Sequence, residues 1–347
     1  MLMSLLGTRV AINVLSRRGY GQEIRDDGPT THHTKRGTPT MGGIVIIVAT
    51  VVGYFAAKLL TLSMPSASAL LLLFLFVGLG TVGFLDDFIK IAKQRSLGLR
   101  SKAKMIGQTV VALTFGVLAL SPWLADDRGE TPASHHLSFI RDFDSWAMPT
   151  VVVVLFIWLV ITGTSNAVNL TDGLDGLAAG LTAIAAATFA VFAYIIGRVD
   201  TSSYLNIFYL RGAGELAVFC TAIFAANLGF LWFNSHPAQV FMGDTGSLAL
   251  GGALGAIAIL LKSEFLLLII GAVFVAETLS VILQRSVFKY RRARFGLEYA
   301  RQNRVFLRAP LHHHFEMKGW PETQVVVRFW ILGILAAALA LSTLKVR

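Results

Sequence analysis

The sequence predicts an all-α, polytopic integral membrane protein of about ten transmembrane helices, forming a single domain over residues 1–347. Of its residues, 55% are hydrophobic and 14% are charged, whereas a soluble protein carries about 25% charged residues. The apolar residues occur in blocks of about 20, the length that crosses the hydrocarbon core. Its one cysteine, Cys220, excludes a disulfide framework and a Cys-based metal site. The composition also excludes a disordered protein and a simple nucleic-acid-binding domain, so no nucleic-acid partner is expected.

The apolar blocks place the predicted helices in chain order. They lie near residues 1–15, 41–62, 67–85, 105–124, 147–165, 176–197, 214–233, 246–261, 265–284 and 327–344. The first block is the weakest candidate, because it is short and carries Arg9. It has no Ala-x-Ala-like cleavage site, so we interpret it as a membrane helix and not as a removed signal peptide.

The basic residues orient these helices. Ten spans put the connections alternately on two sides of the membrane. One side holds 20 of the 30 lysines and arginines, in residues 16–40, 86–104, 166–175, 234–245 and 285–326. By the positive-inside rule this side is cytoplasmic. The most unusual polar clusters of the sequence, five in number, all fall on it.

The first cluster is residues 35–43, where Lys35, Thr40 and three glycines precede the second span. Glycines let the backbone approach an anion, and amides at a helix start favour negative charge. The pattern therefore indicates an anion site. Taken alone, this cluster is explained better by the alternative, a turn with positively charged anchors.

The second cluster places Asp86 and Asp87 at the end of the third span. A carboxylate near the membrane core costs roughly 2.5–3.5 kcal/mol, so two adjacent ones indicate a task or partners. Lys102 and Lys104 follow in the same connection and are candidates to hold phosphate. The alternative is that either aspartate pairs with Lys90 and marks the helix end.

The third cluster, residues 166–176, lacks lysine and arginine but is rich in carboxamides and carboxylates: Asn166, Asn169, Asp172 and Asp175. Gly173 and Gly176 indicate that the segment bends and gathers these groups around a cavity. Hard oxygen ligands of this type suit Mg²⁺, or the hydroxyls of a sugar or base. A simple turn with Asx caps is the alternative.

The fourth cluster, residues 234–247, contains Asn234, Phe241 and Asp244. Asp244 stands in a glycine-flanked turn before a helix of small residues, which suits a metal-ligating carboxylate. Alternatively, Asp244 or Thr245 caps the helix. Phe241 is either a core residue or a surface on which a base stacks.

The fifth cluster, residues 308–320, contains His312, His313 and His314. In an extended segment the first and third would face one way and the second the other. Phosphate binding, proton transfer and a transition-metal site are all chemically open. A solvated histidine cluster is the remaining alternative.

Taken in order, the five clusters resemble the sequence blocks of the polyprenyl-phosphate N-acetylhexosamine-1-phosphate transferases. The run Ala-Pro-Leu-His-His-His-Phe-Glu at 309–316 resembles the muramoyl-pentapeptide branch. The resemblance implies a Mg²⁺-dependent enzyme of the bacterial plasma membrane, with a cytoplasmic active site and a homodimeric assembly. Its reaction would transfer phospho-N-acetylmuramoyl-pentapeptide from the UDP donor to undecaprenyl phosphate. The products would be lipid I and UMP, in the first membrane step of peptidoglycan synthesis.

The resemblance also implies roles for individual residues. The expected metal ligands are Asp244 and Asp172, and the expected proton acceptor is Asp86 or Asp87. Phosphate oxygens are expected to meet Lys102, His312 and His313. The remaining expected substrate contacts are Lys35, Thr40, Asn166, Asn169, Asp175, Asn234, Phe241, which would stack on uracil, and His314. Direct displacement and a covalent enzyme intermediate are both open.

Two other functions fit parts of the sequence. A sister transferase would move N-acetylglucosamine-1-phosphate to a polyprenyl phosphate. A secondary transporter can also have ten spans, but transporters concentrate polar groups near the bilayer midplane. Here the predicted spans are nearly free of charge, with Glu215 and Glu277 as the main exceptions.

Overall fold

The computed structural model describes residues 1–17, 37–93, 98–138 and 142–345, and the regular structure there is almost all helix. The helices are α1 Leu2–Arg17, α2 Gly43–Leu60, α3 Ala67–Ala92, α4 Ser101–Ala119, α5 Thr150–Thr171, α6 Leu177–Ile196, α7 Val199–Leu205, α8 Ala213–Asn234, α9 Gly243–Leu260, α10 Glu264–Ile270, α11 Ala272–Phe295, α12 Leu297–Gln302, α13 Leu311–Met317 and α14 Glu322–Ser342. One-turn 3₁₀ helices lie at Pro122–Leu124 and Thr343–Lys345. The prediction of an all-α membrane protein is confirmed.

Helices stand at all ten predicted places, but not all of them are long and apolar enough to cross a bilayer. Within the described residues seven qualify, namely α2, α3, α5, α6, α8, α9 and α14 with its 3₁₀ extension, and the pair α10 and α11 makes up to eight. Helix α1 has 16 residues, which is short of the length that spans the hydrocarbon core. The chain is therefore a multi-pass membrane protein, and the count of ten stays a prediction.

The predicted span 265–284 is not one straight helix. Helices α10 and α11 meet at Gly271 with a bend of 84°. Sharp helix bends of this kind commonly occur at glycine. Helix α11 then continues to Phe295 and carries the basic residues at the start of the connection 285–326, which the sequence pattern alone does not show to be helical.

Helix α9 lies at the centre of the bundle and is buried along nearly its whole length, between α3 and α5. Its small residues make this possible. A methyl group at Gly251 would collide with the carbonyl oxygen of Thr164 on α5, and one at Gly252 would collide with Leu79 on α3. Close approach through small residues is the usual basis of helix association in membranes, since lipid removes most of the hydrophobic driving force.

A short antiparallel hairpin was not predicted by the hydropathy pattern. Strands β1 His136–Ser138 and β2 Asp142–Ala147 pair within the connection between α4 and α5. The backbone amide of Ser138 donates to Glu264 Oε2 at 3.1 Å, which joins the hairpin to the start of α10.

Glu215, one of the two charges predicted inside the spans, belongs to an ion pair at one end of the bundle. Lys58 Nζ lies 2.7 Å from Glu215 Oε1, and the amide of Ser66 donates to Oε2 at 2.8 Å. Ser66 is the N-cap of α3, whereas Asp86 lies 20 residues later on that helix. At 1.5 Å per residue this is about 30 Å away, so the ion pair lies at the opposite end from the predicted site.

The close packing of α9 predicts a contrast between two glycines. We expect Gly251→Ala to lower the free energy of unfolding by about 1–3 kcal/mol, the usual cost of overpacking. Gly163→Ala is the matched control, because Gly163 is a helical glycine with no atom within 4 Å of an added methyl group. Thermal unfolding of both variants in detergent measures the difference; equal stability would contradict the packing argument.

Candidate active site

The start of α9 lies directly against the end of α3. A side chain at Gly83 would collide with the backbone of Asp244, so only glycine permits this approach. Asp87 on α3 then caps α9: its Oδ2 accepts from the amide of Thr245 at 2.9 Å and from its hydroxyl at 2.8 Å. A carboxylate at a helix N-terminus is favoured by the helix dipole. The side chain that caps α9 thus comes from α3. The N-cap position of α9 itself is Met242, and neither Asp244 nor Thr245 occupies it.

Three carboxylates converge at this contact. Asp86, Asp87 and Asp244 each offer an oxygen within 4.8 Å of the others. Lys90 Nζ lies among them, 2.6 Å from Asp86, 3.2 Å from Asp87 and 3.0 Å from Asp244. The pairing with Lys90 is therefore real, but the lysine joins two helices as well as marking the end of one. Its ammonium group occupies a position in which a cation is stabilised by three acids.

Two further side chains hold Asp244. Lys104 Nζ lies 2.7 Å from Asp244 Oδ2, and Asn169 Nδ2 donates to Oδ1 at 2.6 Å. Asn169 also donates to Ser247 Oγ at 2.9 Å. Lys102, by contrast, is exposed. Of the two lysines considered from the sequence, the structure brings Lys104 to the carboxylates.

Helix α5 separates the polar residues of the third cluster. It stays helical to Thr171 and does not bend at Asn166, and a step of three residues rotates a side chain by about 60°. Asn166 accordingly faces α4 and donates to Gln108 Oε1 at 2.9 Å, whereas Asn169 reaches Asp244. Asp172 follows at the helix end.

Asp172 has a strongly perturbed acidity. Burial raises its pKa to about 8, and the negative charges of Asp244 and Asp87 act in the same direction. A group in this position is stabilised as a carboxylate by a nearby cation.

Asp175 belongs to a second group of side chains that could hold a metal ion, together with His236 and Glu322. Its Oδ2 lies 3.0 Å from His236 Nδ1 and accepts from the amide of Ala238 at 3.1 Å. Its own amide donates to Glu322 Oε1 at 2.8 Å. The sequence analysis missed both His236 and Glu322 as site residues. His236 lies inside the fourth cluster, whereas Glu322 lies on α14 and belongs to no motif.

Backbone contacts join the first, third and fourth clusters. Asn234 accepts from the amide of Gly176 at 3.1 Å and donates to the carbonyl of Val240 at 2.9 Å. The amide of Phe241 donates to the carbonyl of Pro39 at 2.7 Å. Thr40 is buried beside Gly243, and Phe241 is half-buried. Lys35 lies outside the described residues.

The histidine cluster is helical, so the alternation that an extended segment would give does not apply. In α13 successive side chains point about 100° apart, and the three rings find different partners. His312 is fully buried, lies against Gly173 and has its Nδ1 3.2 Å from Glu277 Oε1. His313 and His314 lie nearer the surface.

His313 and His314 have local partners. His313 Nδ1 lies 2.7 Å from Glu316 Oε2, and His314 Nδ1 accepts from the amide of Leu307 at 3.2 Å. Burial lowers the pKa of His313, and His312 adds to this effect. Burial also lowers the pKa of His314. Both rings are therefore biased towards the neutral form.

The described parts of all five clusters meet at one end of the bundle. Hydrogen bonds or direct packing connect each with another, although they are far apart in the chain. The donor set at the first group, carboxylate oxygens with a carboxamide beside them, is the kind that binds a hard divalent cation such as Mg²⁺. The neighbouring lysines and histidines are suited to phosphate oxygens.

Comparison with known proteins agrees with this arrangement. The family model described as glycosyl transferase family 4 matches residues 69–262, and phospho-N-acetylmuramoyl-pentapeptide-transferase signature 1 matches residues 35–47. A phospho-N-acetylmuramoyl-pentapeptide-transferase from a Nocardioides species is 61% identical, over 97% of this chain and 93% of that protein. The enzyme of the same name from Gemmatimonas aurantiaca is 53% identical, over 100% of this chain and 91% of that protein. The one from Cutibacterium acnes is 50% identical, over 98% of this chain and 94% of that protein.

The chain belongs to the phospho-N-acetylmuramoyl-pentapeptide-transferase family. This confirms the resemblance to the muramoyl-pentapeptide branch. Both the signature and the family model fall on segments that form the site: residues 35–47 include Thr40, and residues 69–262 include the three converging carboxylates. The chain is thus a membrane-embedded transferase.

The carboxylate group predicts cation-dependent stability. We expect saturating Mg²⁺ to stabilise the unmodified protein against thermal unfolding, by about 2.7 kcal/mol at 100 times the dissociation constant. Asp244→Asn should remove most of this gain, because it deletes a charge from the group of three. Asp200→Asn is the control: Asp200 is exposed and pairs only locally, with Arg198 at 2.7 Å. If Mg²⁺ stabilises both variants equally, Asp244 is not a ligand.

Proposed function

We propose that this transferase moves phospho-N-acetylmuramoyl-pentapeptide from UDP-N-acetylmuramoyl-pentapeptide to undecaprenyl phosphate, producing lipid I and UMP. The reaction takes place at the cytoplasmic face of the bacterial inner membrane, as the first membrane step of peptidoglycan synthesis. The observation that carries the proposal is the convergence of Asp86, Asp87 and Asp244 with Lys90 and Lys104 at one end of an apolar bundle. Phosphoryl transfer requires carboxylates that bind a cation and positively charged side chains that bind phosphate oxygens. The names of the relatives support the choice of substrates.

Asp244 and Asp172 are the proposed ligands of Mg²⁺. The chemistry that a bound Mg²⁺ supplies is neutralisation of charge on the pyrophosphate as UMP leaves. Asn169 and Lys104 fix the two oxygens of Asp244 from different sides. This leaves the carboxylate preorganised, so little reorganisation is needed when substrate arrives.

The two adjacent aspartates have different proposed tasks. Asp87 is committed to the start of α9, because one of its oxygens receives both donors of Thr245. In the described part of the chain Asp86 caps no helix; it accepts from the amide of Leu99 at 2.8 Å and lies 2.6 Å from Lys90 Nζ. Asp86 is proposed to accept a proton from the lipid phosphate or to orient it. An oxygen of that phosphate displaces UMP from the sugar-linked phosphorus. Direct displacement and a covalent route break this same phosphorus–oxygen bond.

The remaining residues are proposed to bind the substrates. Phosphate oxygens meet Lys104, His312 and His313, so the role predicted for Lys102 moves to Lys104. The uridine side is proposed to comprise Lys35, Thr40, Asp175, Asn234 and Phe241, with Phe241 stacking on uracil. His314 and Asn169 border this region, and Asn166 acts through its bond to Gln108 on α4. The apolar spans supply the groove for the polyprenyl tail, and a homodimer is the proposed assembly.

The choice of donor is directly testable. We expect release of UMP and formation of lipid I from the muramoyl-pentapeptide donor with undecaprenyl phosphate and Mg²⁺, detected by mass spectrometry of the lipid products. UDP-N-acetylglucosamine in the same assay should give no lipid product. Turnover only with the acetylglucosamine donor would assign the chain to the sister activity.

The two lysines of the α3–α4 connection provide a matched pair. Lys104→Met should lower kcat about 100-fold, the usual cost of removing a group that stabilises developing charge. Lys102→Met should change kcat by no more than about twofold, because an exposed charge contributes little. Steady-state kinetics of UMP release measures both. A larger loss in the Lys102 variant would return the phosphate-binding role to that residue.

A further inference from the structure

Glu277 is a fully buried acid that the proposed mechanism leaves unused. It lies on α11, five residues after this helix begins at Ala272, and none of its surface is exposed. Its Oε2 has no hydrogen-bond partner in the part of the chain that the structure describes. A buried carboxyl group is costly without a partner, and one inside a membrane protein usually serves a function.

The neighbour of Glu277 is His312. The backbone amide of His312 donates to Glu277 Oε1 at 3.2 Å, and the ring Nδ1 of the same residue lies 3.2 Å from that oxygen. The ring nitrogen is within range but is not aligned as a hydrogen bond, since both ring nitrogens lack partners among the described residues. Catalytic hydrogen bonds are often loose before substrate binds and tighten in the complex.

The other side of the His312 ring faces the site. A side chain at Gly173 would collide with His312 Nε2, so the ring lies directly against the turn that follows Asp172. Three features of the chain produce this contact. Helix α11, which follows the bend at Gly271, packs against α13, α13 begins after Pro310, and Gly173 leaves room for the ring.

We propose that Glu277 is a positioning residue that acts through His312. Its carboxylate holds Nδ1 and the backbone of His312, so that Nε2 is presented to the substrate phosphates beside the Asp172–Gly173 turn. This inference rests on the proposed function, in which His312 meets phosphate oxygens. It assigns Glu277 no contact with substrate.

The physical basis is the difference between the two ring nitrogens. A hydrogen bond at one nitrogen of an imidazole fixes the orientation of the ring and the chemistry of the other nitrogen. A carboxylate near Nδ1 favours a proton there. Outer partners of this kind typically change activity by about 10- to 100-fold when they are lost.

The first experiment compares two Glu→Gln variants of the full-length enzyme. Glu277→Gln keeps the size of the side chain and removes its charge; we expect kcat to fall about 10- to 100-fold while KM for the donor changes by less than about threefold. Glu215→Gln is the control, because it alters a partly buried acid paired with Lys58 at the other end of the bundle. It should lower thermal stability and leave kcat unchanged. Equal kcat in both variants would overturn the proposal.

A double-mutant cycle separates positioning from a general structural effect. In a His312→Gln background, Glu277→Gln should cost less than about threefold in kcat, because the group it positions is already gone. Glu277→Asp, which keeps the carboxylate, should recover part of the activity lost in Glu277→Gln. If the losses at the two positions multiply, or if Glu277→Asp is as slow as Glu277→Gln, Glu277 does not act through His312. Activity of the unmodified enzyme tests the proposed function separately, so the two hypotheses can fail independently.

Discussion

The charge balance at the contact between α3 and α9 governs the rest of the site. Two adjacent acids on α3 and one on α9 meet there, and Lys90 and Lys104 provide the compensating charge. Asp87 also caps the helix that carries Asp244, so the position of the third acid depends on the second. The glycine at position 83 allows the two backbones to touch. A change in any of these residues would move an oxygen of the proposed cation site.

Two further sets of polar contacts surround the turn at residues 172–176, which lies beside this group of carboxylates and lysines. On one side, the turn before α6 is connected to the segment before α9 and to the first turn of α14. The residues that make these contacts are Asp175, Asn234, His236 and Glu322. On the other side, Glu277 and His312 lie behind Gly173. The short turn at 172–176 is thus held from both sides. The turn carries both Asp172, a proposed metal ligand, and Asp175, which lies on the proposed uridine side.

The sequence predicted the helical architecture and the meeting of the five clusters, because hydropathy and charge asymmetry determine which connections share a face. It could not predict which members of a cluster approach one another. Lys102 and Lys104 have the same chemistry, and only the start of α4 at Ser101 decides that Lys104 reaches Asp244. The helical turn at His312 and the bend at Gly271 depend on tertiary packing, which overrides local pattern. Glu322 was missed because its partner lies 147 residues away.

The proposed function requires one divalent cation at Asp244, beside Asp86 and Asp87. Crystals of the full-length protein soaked with Mn²⁺ in place of Mg²⁺ allow the ion to be located by anomalous diffraction. We expect a single strong peak within about 2.5 Å of a carboxylate oxygen of Asp244, a coordination distance typical of hard cations and oxygen ligands. A peak instead among Asp175, His236 and Glu322, the other group able to hold a metal in the described chain, would contradict it.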